Sequence, residues 1–338
     1  MKRIVMCFDG TWNKPADEAL PRKSQVETNV CRFYESVKKK GMDGVKQVTW
    51  YDEGVGSKWY NRYIGGAIGA GLESNIVQGY QFLAQEYADG DEVYIVGFSR
   101  GAYTARSLVG MIRNCGLIYP NHLALRVPLA YGIYRTRDDN ADSFTARTFR
   151  SAFSRELRIK FLGVWDTVGA LGIPLDLLQA FNMKFYEFHD TKLSRIVENA
   201  YHAVAIDEHR RDYEACLWNP ESAPEQKIEQ RWFIGAHCDT GGGYEDRRLS
   251  DLALRWMQDK ARGLGLAVDP VRIGTKYYRG AFTDSYSEFL GGVYALKHPR
   301  HYRAVAATRL GNEIIDDSVH RRRKEDNGYD PQNTGLPK

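Results

Sequence analysis

Glu92-Val93-Tyr94-Ile95-Val96 runs directly into Gly97-Phe98-Ser99-Arg100-Gly101, and that into Ala102-Tyr103-Thr104-Ala105-Arg106-Ser107-Leu108-Val109-Gly110-Met111-Ile112. The first stretch is short and β-branched, launched from the turn residues Asp89-Gly90-Asp91, and reads as a strand. The last has helical spacing and closes at Gly116, a residue that favours helix ends. A glycine-x-serine-x-glycine match alone is weak. Between a strand and a helix it describes a nucleophile elbow, in which the serine occupies a strained turn and its hydroxyl projects from the sheet edge. The flanking glycines leave room for strand and helix to approach. Ser99 is therefore the candidate nucleophile.

Working outward, five more strands are expected, each ending in residues suited to chemistry. Ile4 to Phe8 ends at Asp9-Gly10-Thr11, and Val45 to Tyr51 at Asp52-Glu53-Gly54. Ile159 to Val164 ends at Trp165-Asp166-Thr167, Ala200 to Ile206 at Asp207-Glu208, and Arg231 to Ile234 at Gly235-Ala236-His237. Helical patterns cover Asn29 to Lys40, Glu73 to Tyr87, Tyr103 to Cys115 and Leu249 to Ala261. This alternation predicts an α/β fold, a mostly parallel central sheet with helices on both faces. Ligands bind such sheets at the carboxyl ends of the strands, where all these polar residues fall. The order fits an α/β-hydrolase-like sheet lacking its first two strands. Its oxyanion donors would be the N–H of Arg100 and that of Gly10 or Thr11, with Asp9 beside them as a further binding candidate.

At 338 residues, 43% hydrophobic, the chain can bury one large core. We expect a single domain over 1–338, with the core over about 1–265 and residues 266–338 packed on it as an extension. Residues 117–157 and 170–190 read as cap or lid insertions. The second carries Leu171, Ile173, Leu175, Leu177, Leu178 and Phe181, which suits either a helix packed on the core or a wall for an acyl chain.

A net charge of +4 gives no reason to expect a polyanion partner, and Arg321-Arg322-Arg323-Lys324 is followed at once by Glu325-Asp326. Nucleic acid is not an expected partner. The five cysteines are scattered, odd in number and without metal-ligand spacing, which predicts idle thiols made in a reducing compartment. The apolar run at the start is too short for a signal peptide, and none reaches the roughly 18 residues that span a bilayer. A cytoplasmic site of synthesis is expected.

A serine nucleophile needs a base and a carboxylate that orients it. His237 follows the last expected strand, where α/β-hydrolases place their histidine, and Gly241-Gly242-Gly243 after it predicts a tightly bent loop. His202 lies inside a strand and reads as a core histidine. For the acid, Asp207 ends the penultimate strand and Asp166 the strand before it. Asp166 is preferred, because Asp207 stands among Glu208, His209, Arg210 and Arg211. Asp239 is a third choice, but its closeness to His237 suits it better to shaping the loop. Asp9, Asp166, His237 and Asp239 would also suit a divalent cation if the fold brought them together.

Five ordered motifs resemble a known family: Phe8-Asp9-Gly10-Thr11-Trp12-Asn13, Gly97 to Tyr103, Gly163 to Gly169, Ile206-Asp207-Glu208, and Trp232-Phe233 through His237 to Gly243-Tyr244. They look like those of the DUF2235 family, the α/β-hydrolase catalytic domain of the first group of type VI secretion lipase effectors. The resemblance covers about residues 3–258, with a weaker echo at Ser318-Val319 and Tyr329 to Pro337. It implies a Ser-Asp-His hydrolase with phospholipase activity, and delivery by a secretion system. His237-Cys238-Asp239-Thr240 stands where the family usually has His-Ser-Asp-Val, keeping the histidine. At 338 residues the chain is not expected to hold the large membrane-anchoring module of those effectors.

The sequence thus predicts a serine hydrolase acting on carboxylic esters, foremost phospholipids. Its partners would be a lipid or ester substrate and, transiently, a membrane surface. No cofactor or metal is required, and oligomeric state is left open. Two rivals remain: a metal-assisted phosphodiesterase or phosphatase using the strand-end aspartates, and an inert hydrolase-like protein that binds a ligand or lipid.

Overall fold

The computed structural model describes residues 1–10, 26–53, 67–136, 140–168, 193–219, 225–306, 308 and 312–337. Seven strands form one sheet among them: β1 (Lys2–Phe8), β2 (Lys46–Asp52), β3 (Glu92–Phe98), β4 (Ile159–Trp165), β5 (Asn199–Ala205), β6 (Lys227–Phe233) and β7 (Glu313–Ile315). Their order is β2-β1-β3-β4-β5-β6-β7, and every neighbouring pair is parallel. The α/β-hydrolase-like order read from the sequence is the order observed. β7 was not foreseen; three residues at an edge give too short a pattern to stand out.

Alternation along each strand decides which helices cover which face. Ile4, Met6 and Phe8 pack with α2 (Ala67–Glu86) and α3 (Arg100–Cys115) on one side. Val5 and Cys7 pack with α1 (Asn29–Ser36) and α7 (Arg248–Gly263) on the other. Thr28 caps α1 by accepting from the Cys31 N–H at 3.1 Å. The helix was expected to reach Lys40 but stops at Ser36. There Lys38 N–H bonds the Ala267 carbonyl at 3.0 Å, so pairing with a distant segment replaces the last turn.

The insertion at 117–157 holds α4 (Leu123–Arg135) and α5 (Phe144–Phe153), and its apolar side chains join the cluster of α2 and α3. It departs from the end of α3 remote from Ser99. The apolar stretch expected over 170–190 lies outside the described residues. Beyond α7 the chain is largely irregular, yet Tyr278, Val305, Val319 and Tyr329 close a third apolar cluster with Val204, Ile206, Trp232 and Ile234. Val319 belongs to α8 (Asp317–Glu325). No described helix is long and apolar enough to cross a membrane.

Candidate active site

β3 ends at Phe98, and Ser99 makes the corner with φ 56° and ψ −121° before α3 begins at Arg100. A non-glycine residue held there costs on the order of 1–3 kcal/mol, which the surrounding packing must supply. Ser99 N–H bonds the Trp165 carbonyl of β4 at 3.1 Å, tying the corner to the next strand. Gly101 explains the motif's second glycine, since a Cβ there would lie 2.1 Å from the Phe8 carbonyl oxygen. Only a bare Cα lets α3 sit this close to the end of β1.

His237 opens the short helix α6 (His237–Gly241) after β6. Its Nε2 lies 2.8 Å from Ser99 Oγ and its Nδ1 2.6 Å from Asp166 Oδ2. The rings of Phe98 and Tyr213 flank the imidazole at 4.6 and 5.2 Å between centroids, and the residue is 5% exposed. The glycines that follow are needed for this placement. A Cβ on Gly241 would meet the Phe98 ring at 2.0 Å, and Gly242 turns at φ 84° against the backbone of Thr28 and Asn29.

Asp166 follows β4 with φ 37° and is fully buried. Besides His237, it accepts from Ala205 N–H at 2.9 Å and from two Arg303 nitrogens at 2.6 and 3.1 Å. Burial alone would raise its carboxyl; the Arg303 charge and the His237 hydrogen bond reverse this and hold it well below the usual carboxylate range. Asp207, the other acid candidate, is not brought to the imidazole. It accepts from Gly235 N–H at 2.7 Å and Tyr329 OH at 2.9 Å, and burial pushes its carboxyl up. The ion pair in this stretch belongs to its neighbour. Glu208 takes both Nε and Nη2 of Arg210, at 2.8 and 2.7 Å, and also accepts from Ser285 Oγ and His237 N–H.

The expected oxyanion donors divide. Gly10 N–H is turned onto its neighbour's carboxylate, Asp9 Oδ1, at 2.6 Å, which corrects its reading as a free donor. Asp9 also accepts from Thr28 Oγ1 at 2.6 Å and Tyr51 OH at 2.5 Å, so its carboxylate braces the loop after β1. Thr11 lies outside the described residues. Arg100 sits at the first position of α3, where backbone N–H groups lack a partner within the helix. Its guanidinium forms no ion pair with a described residue, and burial brings it down to about 10. Among the described residues no three of His, Cys, Asp and Glu converge in a metal-binding group.

His202 is a core histidine: its Nε2 accepts from Thr167 N–H at 3.0 Å, and burial pushes it down to about 3. Sequence reasoning missed Arg303 and Tyr213, which no motif marks. Tyr329 fell within the weak C-terminal echo.

Asp239 accepts from Ala236 N–H at 2.9 Å and Thr283 N–H at 3.0 Å, fixing the entry to α6. Burial lifts its carboxyl to about 7. The folded protein therefore binds this proton more tightly than the unfolded chain. Its contribution is present below about pH 4 and is lost as pH rises through about 7. Asp239→Asn keeps an accepting oxygen without the charge. We expect its melting temperature to match the parent below about pH 4 and exceed it by several degrees at pH 8. A constant difference between the two across that range in thermal melts refutes this assignment.

The family model described as "T6SS, Phospholipase effector Tle1-like, catalytic domain" matches residues 2–260. An uncharacterized protein of Saccharomyces cerevisiae is 29% identical over 243 residues, which is 65% of this chain and 33% of the yeast protein. Among solved structures, an uncharacterized protein from Pseudomonas aeruginosa is similar at 17% identity and a TM-score of 0.45, covering 82% of this chain and 48% of that one. The Tle1 effector bound to the VgrG spike of the type VI secretion system is similar at 18% identity and a TM-score of 0.41, covering 72% and 51%. The chain thus spans a third to a half of these relatives' lengths. The match over residues 2–260 takes in the serine elbow, Asp166 and His237. The chain belongs to the Tle1-like phospholipase effector catalytic-domain family.

Proposed function

We propose that this protein hydrolyses carboxylic esters of lipids, foremost phospholipids, through Ser99, His237 and Asp166. The observation that carries the reading is the run of hydrogen bonds from Ser99 Oγ to His237 Nε2 and from His237 Nδ1 to Asp166, at 2.8 and 2.6 Å. Ser99 Oγ attacks the acyl carbonyl while His237 takes its proton. His237 then protonates the departing alkoxide, leaving an acyl-serine that water clears by the same steps in reverse. Asp166 stays ionised throughout and holds the imidazole with Nε2 towards the serine. The N–H groups of Arg100 and Thr11 would receive the oxyanion.

A phospholipid suits the site's charge, because Arg100, the residue after the nucleophile, is half-buried and its guanidinium forms no ion pair with a described residue. A phosphate near the scissile ester would supply one. Transient contact with a membrane surface follows from such a substrate. Delivery by a type VI secretion system belongs to the same proposal, on family membership alone.

The test uses diacyl phosphatidylglycerol vesicles and identifies the products. The expected products are free fatty acid and lysophospholipid. Release of the phosphorylated headgroup instead would assign the site to phosphodiester cleavage. Binding without turnover would make it a lipid-binding protein.

A further inference from the structure

Arg303 lies beyond the residues matched by the family model and carries no motif, yet no part of it reaches solvent. Its Nη1 donates to Asp166 Oδ1 at 2.6 Å and to the Ala205 carbonyl at 2.7 Å. Its Nη2 donates to Asp166 Oδ2 at 3.1 Å and to the Tyr213 carbonyl. The main chain at Arg303 is itself held, because Asn333 Nδ2 donates to both the Arg303 and Ile206 carbonyls at 3.0 Å. One planar fork therefore joins the carboxylate after β4 to the backbone on either side of the β5 loop.

A buried carboxylate beside an imidazole faces two hazards. It can rotate, and its full charge can trap the imidazole in the protonated form, which is useless as a base. Two parallel N–H bonds fix the carboxylate plane, and a guanidinium fork does this where an ammonium cannot. The guanidinium charge also offsets the carboxylate charge seen by the imidazole. We propose that Arg303 is a positioning residue of the hydrolytic centre, fixing the Asp166 carboxylate and balancing its charge so that His237 is available as a neutral base. The C-terminal extension would then be part of the catalytic apparatus. This inference rests on the ester-hydrolase reading above.

The test measures kcat/KM for a soluble p-nitrophenyl ester from pH 5 to 9 in the full chain, for the parent, R303Q and R303K, with thermal melts of each. R303Q keeps a donor and removes the charge. It should lose about 10²-fold or more, and the acid limb of its profile should move to higher pH. R303K keeps the charge and gives up the fork, so it should lose roughly tenfold with the limb unmoved. Glu208 with Arg210, Tyr213, Cys238 and Asp239 also face the imidazole or its loop, but they are the same in all three proteins. A merely structural arginine would lower the melting temperature without moving the limb.

Action through Asp166 makes a further demand: in a D166N background, R303Q should cost less than threefold. Folded R303Q with an unmoved acid limb and kcat/KM within threefold of the parent overturns the proposal. If R303Q does not fold, R303K decides alone: parent-like kcat/KM overturns the proposal, and a tenfold loss with the limb unmoved supports it. Full hydrolysis by S99A would instead remove the underlying Ser99-His237-Asp166 mechanism, whatever Arg303 does.

Discussion

Ser99→Ala is expected to abolish labelling by a fluorophosphonate probe and to reduce ester hydrolysis by about 10⁴- to 10⁶-fold. The change removes one hydroxyl from a half-buried corner and leaves the strand, the helix and the imidazole in place. It should not lower the melting temperature, because Ser99 gives no side-chain cap to α3. Covalent labelling followed by mass mapping should place the adduct on the peptide containing Ser99. Turnover above a few per cent of the parent, or an adduct elsewhere, refutes the serine mechanism.

Asp166→Asn should lower kcat by about 10⁴-fold, because an amide that presents its NH2 group to Nδ1 stabilises the wrong imidazole tautomer. Asp207→Asn should behave differently. Its carboxylate answers Gly235 N–H and Tyr329 OH, so the expected lesion is in stability, with kcat within about tenfold of the parent. The pair is decided by measuring kcat and melting temperature on both variants. Loss of activity in Asp207→Asn with activity retained in Asp166→Asn would reverse the assignment.

The strands of the sheet's centre were legible because a parallel sheet covered on both faces demands short β-branched runs, and β1, β3 and β4 carry them. The elbow was legible for a different reason. Close packing against Phe8 requires a glycine at 101, and that demand is written into the motif. Position along the chain suggested both Asp166 and Asp207. Deciding between them needed the three-dimensional direction of each loop, since both end parallel strands at the same sheet edge. Arg303 was illegible. A single arginine in an irregular segment has no periodicity, and its partner Asp166 is 137 residues away. Gly10 was misjudged because a strand-end N–H reads as free unless the neighbouring carboxylate is seen to turn back on it.

Arg303 and Asn333 also impose an order in time. A ribosome extrudes Ser99, Asp166 and His237 in that sequence, and all of the sheet except β7, long before the segment that grips Asp166. Until that segment emerges and threads back over β5, the nascent chain holds a carboxylate with neither its guanidinium nor the carbonyl contacts that seat it. On this wiring the serine, carboxylate and imidazole all leave the ribosome before the guanidinium and the amide that seat the carboxylate.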